Sequence, residues 1–347
     1  MGEIKDGRAI NSMTLEELED QLKAMGSPRF RALQIYQWFH KKKAAGYGAL
    51  GNIPKELRNS LEERHPFLGL ELVESHPSGD GETVKHLFRC KDGQVLETVW
   101  MRYKHGNSLC ISSQAGCRMG CAFCASTIGG LARNLDAAEM LEQVYQVERM
   151  TKEPVSSVVV MGTGEPFDNF QELIRFLVLL NHPEGRNLGQ RHVTVSTCGL
   201  SDKIREFADL QMQVNLAVSL HAPSDELRTR LMPVNMRYPL KNLLDACRYY
   251  VKKTNRRITF EYSLLDGVND TEAHARALVR ILKGIHCHIN LIPVNAVEER
   301  AYRKSKPEAA ARFKKVLDQS GMTATVRRSL GEDIDAACGQ LRRKHKP

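Results

Sequence analysis

Hydrophobic positions in the first 65 residues recur at helical spacing. TLEELEDQLKAMG opens with Thr14 where an N-cap belongs and Glu17 three residues later, a capping box, and Gly26 closes the helix. RFRALQIYQWFHKKKAAG follows, with Leu33, Ile35, Tyr36 and Phe39 on an apolar stripe, and IPKELRNSLEERH predicts a third helix that starts at its proline. Between 70 and 105 the pattern shortens to β-rich runs, LELVESH, TVKHLFRC and QVLETVWMRY. The breaks between them, PSGDGE and KDGQ, are hairpin signals, so a small antiparallel extension is expected.

From 108 onward apolar runs alternate with amphipathic helices. The runs are SLCISSQ, VSSVVVMG, HVTVSTCG, VNLAVSLHA, ITFEYSLLDG and HINLIPVN; helices such as AAEMLEQVYQVERM, NFQELIRFLVLLN and LKNLLDACRYYVKK separate them. Alternation at this period predicts βα units on a parallel sheet, and near-continuous apolar strands agree because such strands are covered on both faces. Six units suit a partial (β/α) barrel or a doubly wound sheet. The polar or glycine-rich turns MGTGEP, STCG, SLHA and IPVN favour the barrel, whose working loops follow the C-terminal ends of its strands. The expected division is a helical unit at 1–66, a β-rich extension at 67–105 and a barrel at 106–347.

The chain has 347 residues and a formal net charge of +9. The basic balance, with the clusters HKKK, NRR and RRKHKP, favours a polyanionic partner. No apolar run approaches the roughly 20 residues needed to span a bilayer. The N-terminal stretch carries acidic residues and no apolar signal region, which predicts a cytoplasmic protein with no membrane association.

Nine cysteines in such a protein point to metal binding or catalysis rather than a disulfide framework. Four lie close together in CISSQAGCRMGCAFCAS, and Cys117, Cys121 and Cys124 are spaced C-x3-C-x2-C. Structural zinc usually takes paired C-x2-C knuckles and ferredoxin clusters take four cysteines. Three close thiolates suit three irons of a cubane, with the fourth iron open to the amino and carboxylate groups of S-adenosylmethionine (SAM). A zinc-stabilised RNA-binding protein, completing its site with Cys110 or Cys338, is the non-enzyme alternative.

The three-cysteine motif, with the aromatic Phe123 before its last cysteine, resembles the radical SAM superfamily, and GTGEP (162–166) resembles that superfamily's turn after the second strand. CISSQAGCRMGCAFCAS, MGTGEPFDN, VSTCG, SLHAP, LIPVN and GEDIDAACGQL together resemble the RlmN group of dual-specificity rRNA and tRNA adenine-C2 methyltransferases, over about residues 15 to 345. The Cfr group, which methylates C8 of the same rRNA adenosine, is the nearest alternative; a glycyl-radical activase is another.

The resemblance implies a partial (β/α)6 TIM-like barrel with one [4Fe-4S] cluster on Cys117, Cys121 and Cys124, and two SAM molecules used per methylation. It implies that Cys338 carries the methyl group as S-methylcysteine. Cys110 would resolve the RNA adduct through a transient disulfide with Cys338, and Glu97 would accept the proton. Cosubstrate contacts carry over to Gly164, Glu165, Ser196, Ser219, Leu220, His221 and Asn295. The implied partners are 23S rRNA and tRNA, with the helical unit and Lys41 to Lys43 as handles, and an external flavodoxin- or ferredoxin-like electron donor; a monomer is expected. Adenine C2 lies between two ring nitrogens and is electrophilic, so polar methyl transfer fails there and radical addition is required. Cys198, Cys90, Cys247 and Cys287 read as small or packing residues.

Overall fold

The computed structural model describes residues 7–104, 106–294, 300–327 and 334. Helix α1 (Leu15–Ala24) begins as its sequence requires. The Thr14 hydroxyl accepts from the Glu17 N–H, and the Glu17 carboxylate accepts from the Thr14 N–H. Helix α2 (Phe30–His40) buries Ala32, Ile35, Tyr36 and Phe39, an i, i+3, i+4, i+7 set. Leu33 falls one position off that face and is half-buried, so the expected stripe is corrected by one residue. Helix α3 (Lys55–Arg64) starts one residue after the expected proline, with Pro54 at the N-cap.

Strands β1 (Glu71–Pro77), β2 (Thr83–Arg89) and β3 (Val95–Tyr103) pair antiparallel in chain order. They form no separate layer, because β3 pairs antiparallel with β4 (Gly106–Ile111) and so extends the main sheet. Strands β5 (Gln114–Gly116) and β6 (Leu131–Asn134) make a two-stranded ribbon around the cysteine loop. Parallel pairing then runs from β4 through β7 (Val155–Val160), β8 (Val193–Thr197), β9 (Asn215–Ser219), β10 (Ile258–Leu264), β11 (Cys287–Pro293) and β12 (Ala324–Val326). Among the described residues this gives one ten-stranded sheet whose parallel strands are neighbours in chain order. A doubly wound sheet reverses strand order part-way; this one does not. A single cavity touches side chains from β3 through β11, so the sheet curls into a partial barrel.

The chain between these strands forms helices α4 (Ala137–Thr151), α5 (Phe170–Asn181), α6 (Ser201–Asp209), α7 (Asp225–Leu231), α8 (Leu240–Thr254), α9 (Glu272–Leu282) and α10 (Pro307–Gln319). Their apolar faces pack on the sheet; Leu243, Ala246, Cys247 and Tyr250 of α8 are fully buried. Arg175 of α5 grips the Glu17 carboxylate with two bonds of 2.6 and 2.9 Å, tying α1 to the barrel.

Lys43 is corrected as a nucleic-acid handle. Its Nζ lies 2.8 Å from the buried Glu148 of α4, which also accepts from Arg186. Lys42 lies 3.7 Å above the Trp38 ring. Lys41 is exposed. Among the described residues no helix is long and apolar enough to cross a membrane.

Candidate active site

The cysteine loop leaves the C-terminal end of β4 and is braced by backbone bonds. The Cys117 N–H donates to the Gly130 carbonyl, the Ala122 N–H donates to Leu231 at 2.8 Å, and the Thr127 hydroxyl lies within bonding distance of the Cys121 and Cys124 carbonyls. Arg300 donates to the Cys124 carbonyl at 3.0 Å. Cys117, Cys121 and Cys124 share the wall of a cavity of about 300 Å³. Burial pushes the Cys117 thiol up to about 12 and raises Cys121 as well.

Cys110 and Glu97 line the same cavity. Glu97 is 5% exposed, so its side chain is turned away from solvent. The ladder explains the meeting: Cys110 opposes Val99 across β3 and β4, and Glu97 lies two residues from Val99 on the same face. Ser112 fixes this corner. Its hydroxyl donates to the Glu97 carbonyl at 2.8 Å and accepts from Thr163, while Gln143 of α4 bonds both its N–H and its carbonyl.

Gly164 and Glu165 lie past β7. Gly164 has φ +111°, and a Cβ there would stand 2.6 Å from the Gln114 Cβ, so the turn excludes a side chain. The Glu165 carboxylate accepts from the backbone N–H groups of Phe167 and Cys198 at 2.9 and 2.6 Å. It therefore braces two rim turns as well as lining the cavity, and burial raises its pKa.

Ser196, Ser219 and His221 also line the cavity, while the Leu220 side chain is fully buried. His221 takes φ +54°, its Nδ1 accepts from the Ser263 N–H at 2.9 Å, and its ring meets Phe123 edge-on at 4.9 Å. Burial lowers its pKa to about 3, so the ring is neutral with its proton on Nε2. Asn295 and Cys338 lie outside the described residues.

Two contributors escaped the sequence reading. Arg228 is fully buried and donates to the carbonyls of Cys198, Leu220 and Ser219, clamping the turns after β8 and β9. Glu261 on β10 lines the cavity. Its signal was the one charge in an otherwise uncharged strand.

Comparison with known proteins decides the family. The Radical SAM superfamily profile matches residues 111–279, and that of the ribosomal RNA large subunit methyltransferase N-terminal domain matches 9–66. The probable dual-specificity RNA methyltransferase RlmN of Geobacillus kaustophilus is 51% identical over 341 residues, covering 97% of this chain and 93% of the relative. The chain belongs to the RlmN family. The RlmN relative from Thermoanaerobacter sp. is 50% identical over 97% of this chain and 98% of its own. The crystal structure of a radical SAM methyltransferase from Sphaerobacter thermophilus superposes with a TM-score of 0.92 at 47% identity, covering 96% of this chain and 98% of that one.

As a radical SAM protein of the RlmN family, the chain uses SAM and a [4Fe-4S] cluster. The residues present fit that group. Three thiols are gathered on one wall of the cavity. Membership of the RlmN family sets aside the zinc-stabilised binding protein.

Proposed function

We propose that this radical SAM enzyme methylates C2 of an adenosine in the peptidyl-transferase centre of 23S rRNA and of the adenosine 3′ to the anticodon in tRNA. The support is one cavity whose wall is shared by Cys117, Cys121, Cys124, Cys110 and Glu97. In this reading the three cysteines hold the cluster, which together with SAM supplies an adenosyl radical. Gly164, Glu165, Ser196, Ser219, Leu220, His221 and Asn295 hold the cosubstrate.

The remaining chemistry belongs to side chains. Cys338 accepts a methyl group from one SAM molecule by polar displacement. Loss of a hydrogen atom to the radical derived from a second molecule leaves a methylene radical on the Cys338 sulfur, and this adds to adenine C2. Glu97 removes the C2 proton as the adduct gives up its unpaired electron to the external electron carrier, which restores the aromatic ring, and the Cys110 thiolate then attacks the Cys338 sulfur. The carbon–sulfur bond breaks, a Cys110–Cys338 disulfide forms, the departing C2 methylene takes up a proton to become methyl, and methylated RNA leaves. A thiol reductant restores both cysteines.

The target base must leave its stack to reach the cavity. The unit at 1–66 is the RNA handle, followed by a β extension at 67–105 and the catalytic barrel at 106–347. The protein works as a cytoplasmic monomer with an external flavodoxin- or ferredoxin-like electron donor. The deciding experiment is nucleoside analysis of 23S rRNA and tRNA treated with the reconstituted enzyme, SAM and a reductant. The expected product is 2-methyladenosine; 8-methyladenosine, or no methylation, overturns the proposal.

A further inference from the structure

Strand β10 carries a carboxylate where a strand covered on both faces tolerates one poorly. Glu261 is 6% exposed. Burying a carboxylate costs several kcal/mol unless partners answer its oxygens, so an apolar or amide side chain would be the cheaper occupant. Its neighbours are arranged around it. In parallel register, Ser219 of β9 and Asn290 of β11 flank Glu261, so three polar residues form a row across three strands. The Asn290 Nδ2 donates to Glu261 Oε2 at 2.8 Å. The Glu261 backbone carbonyl accepts from the N–H groups of Leu220 and His221, at 3.0 and 3.4 Å, and so holds the turn after β9.

A carboxylate offers about four acceptor positions, and one amide bond answers one of them. The side chain also faces the cavity that Ser219, His221 and the cluster cysteines line. Arg327, past β12, is a charged group set toward it, and the neutral His221 lines the same cavity. Phe123 of the cysteine loop, which His221 meets edge-on, lines the same cavity, so a ligand that fills it reaches both Glu261 and that loop.

We propose that Glu261 is a cosubstrate-binding residue whose carboxylate accepts a hydrogen bond from a hydroxyl or amino group of SAM. The assignment rests on the reading of this cavity as the SAM site. The adenosine of the RNA target carries the same donor chemistry, and adjacency to the cysteine loop favours SAM. Burial pushes the Glu261 carboxyl up to about 7, so the ionised form is within reach at neutral pH and a donor from the ligand favours it.

The test is anaerobic equilibrium dialysis of labelled SAM against the cluster-reconstituted full chain, with RNA affinity measured in parallel. Wild-type protein binds SAM; if it does not, the reading of the cavity fails, whatever Glu261 does. Given wild-type binding, Glu261→Gln is expected to raise the SAM Kd roughly 10- to 100-fold, the loss of a hydrogen bond to a charged group. Iron content and RNA Kd should stay within about twofold of wild type. Glu261→Asp keeps the charge on a shorter stem and should weaken SAM binding several-fold, so it carries the test if the amide variant does not fold. An unchanged SAM Kd in a folded variant, or a loss confined to RNA affinity, overturns the proposal.

Discussion

Cys110 on β4 stands opposite Val99 on β3, one side-chain step along the same face from Glu97. Both Cys110 and Glu97 line the cavity that holds the three clustered cysteines. The two strands are antiparallel, so their ladder fixes the offset, and the Ser112 bond to the Glu97 carbonyl locks the end of it. In the proposed reaction this spacing lets one residue take a proton while its neighbour attacks sulfur.

Replacing Cys110 by Ala should leave Cys338 able to accept a methyl group but unable to release the RNA. A covalent protein–RNA adduct should accumulate, one that nuclease trims and does not free. Cys338→Ala, and the double variant with it, should form no adduct because the methyl carrier is missing. Denaturing gels with labelled RNA read all three outcomes. Free methylated product at the normal rate from Cys110→Ala would overturn the roles.

Cys117→Ala, Cys121→Ala and Cys124→Ala should each fail to assemble the cluster. Iron and sulfide content should collapse, and SAM should no longer yield 5′-deoxyadenosine. Full iron loading with normal SAM cleavage in Cys121→Ala would remove that residue from the ligand set.

The lysine run should divide into two behaviours. Lys41→Ala with Lys42→Ala should flatten the slope of log RNA affinity against log salt by about one unit per lost phosphate contact. Lys43→Ala should leave that slope alone, because Lys43 is committed to Glu148, whose side chain is only 1% exposed. Its cost should appear in thermal unfolding instead, roughly 1–2 kcal/mol, since Arg186 still partners the carboxylate. A slope that moves with Lys43 alone would contradict this division.

Gly164→Ala places a methyl group against Gln114 in a backbone conformation that L side chains rarely adopt. It should cost roughly 2–4 kcal/mol of stability and displace the turn that carries Glu165. Unfolding curves and SAM affinity measure both effects, and wild-type values for both would show that the turn yields easily.

Glu261 should also leave a pH signature on stability. Its carboxyl is pushed from 4.5 to about 7 in the fold. The folded state therefore holds this proton more tightly than the unfolded chain. The associated stability is fully present below about pH 4.5 and is lost as pH rises through about 7. Glu261→Gln cannot ionise, so its melting temperature relative to wild type should climb across that window and level off above it. The difference is on the order of a few kcal/mol at most. A wild-type minus variant difference that is flat with pH would mean that Glu261 titrates normally.

The sequence by itself determined the elements and the chemistry they carry. The capping box at Thr14 and Glu17 and the alternation of apolar runs with amphipathic helices are relations between residues a few positions apart, and the chain writes those directly. The same holds for the C-x3-C-x2-C loop and for the GTGEP turn with its obligatory Gly164, whose backbone geometry and metal-ligand spacing are local properties. Only the tertiary structure decided what depends on partners distant in the chain. It ordered the parallel strands as a partial barrel rather than a doubly wound sheet, and it turned Glu97 inward beside Cys110. It gave Lys43 to Glu148, set Arg228 as a clamp on two rim turns, and brought Glu261 level with Ser219 and Asn290. Burial, strand register and charge pairing are properties of surfaces brought together by packing, and a side chain acquires them only when its neighbours arrive.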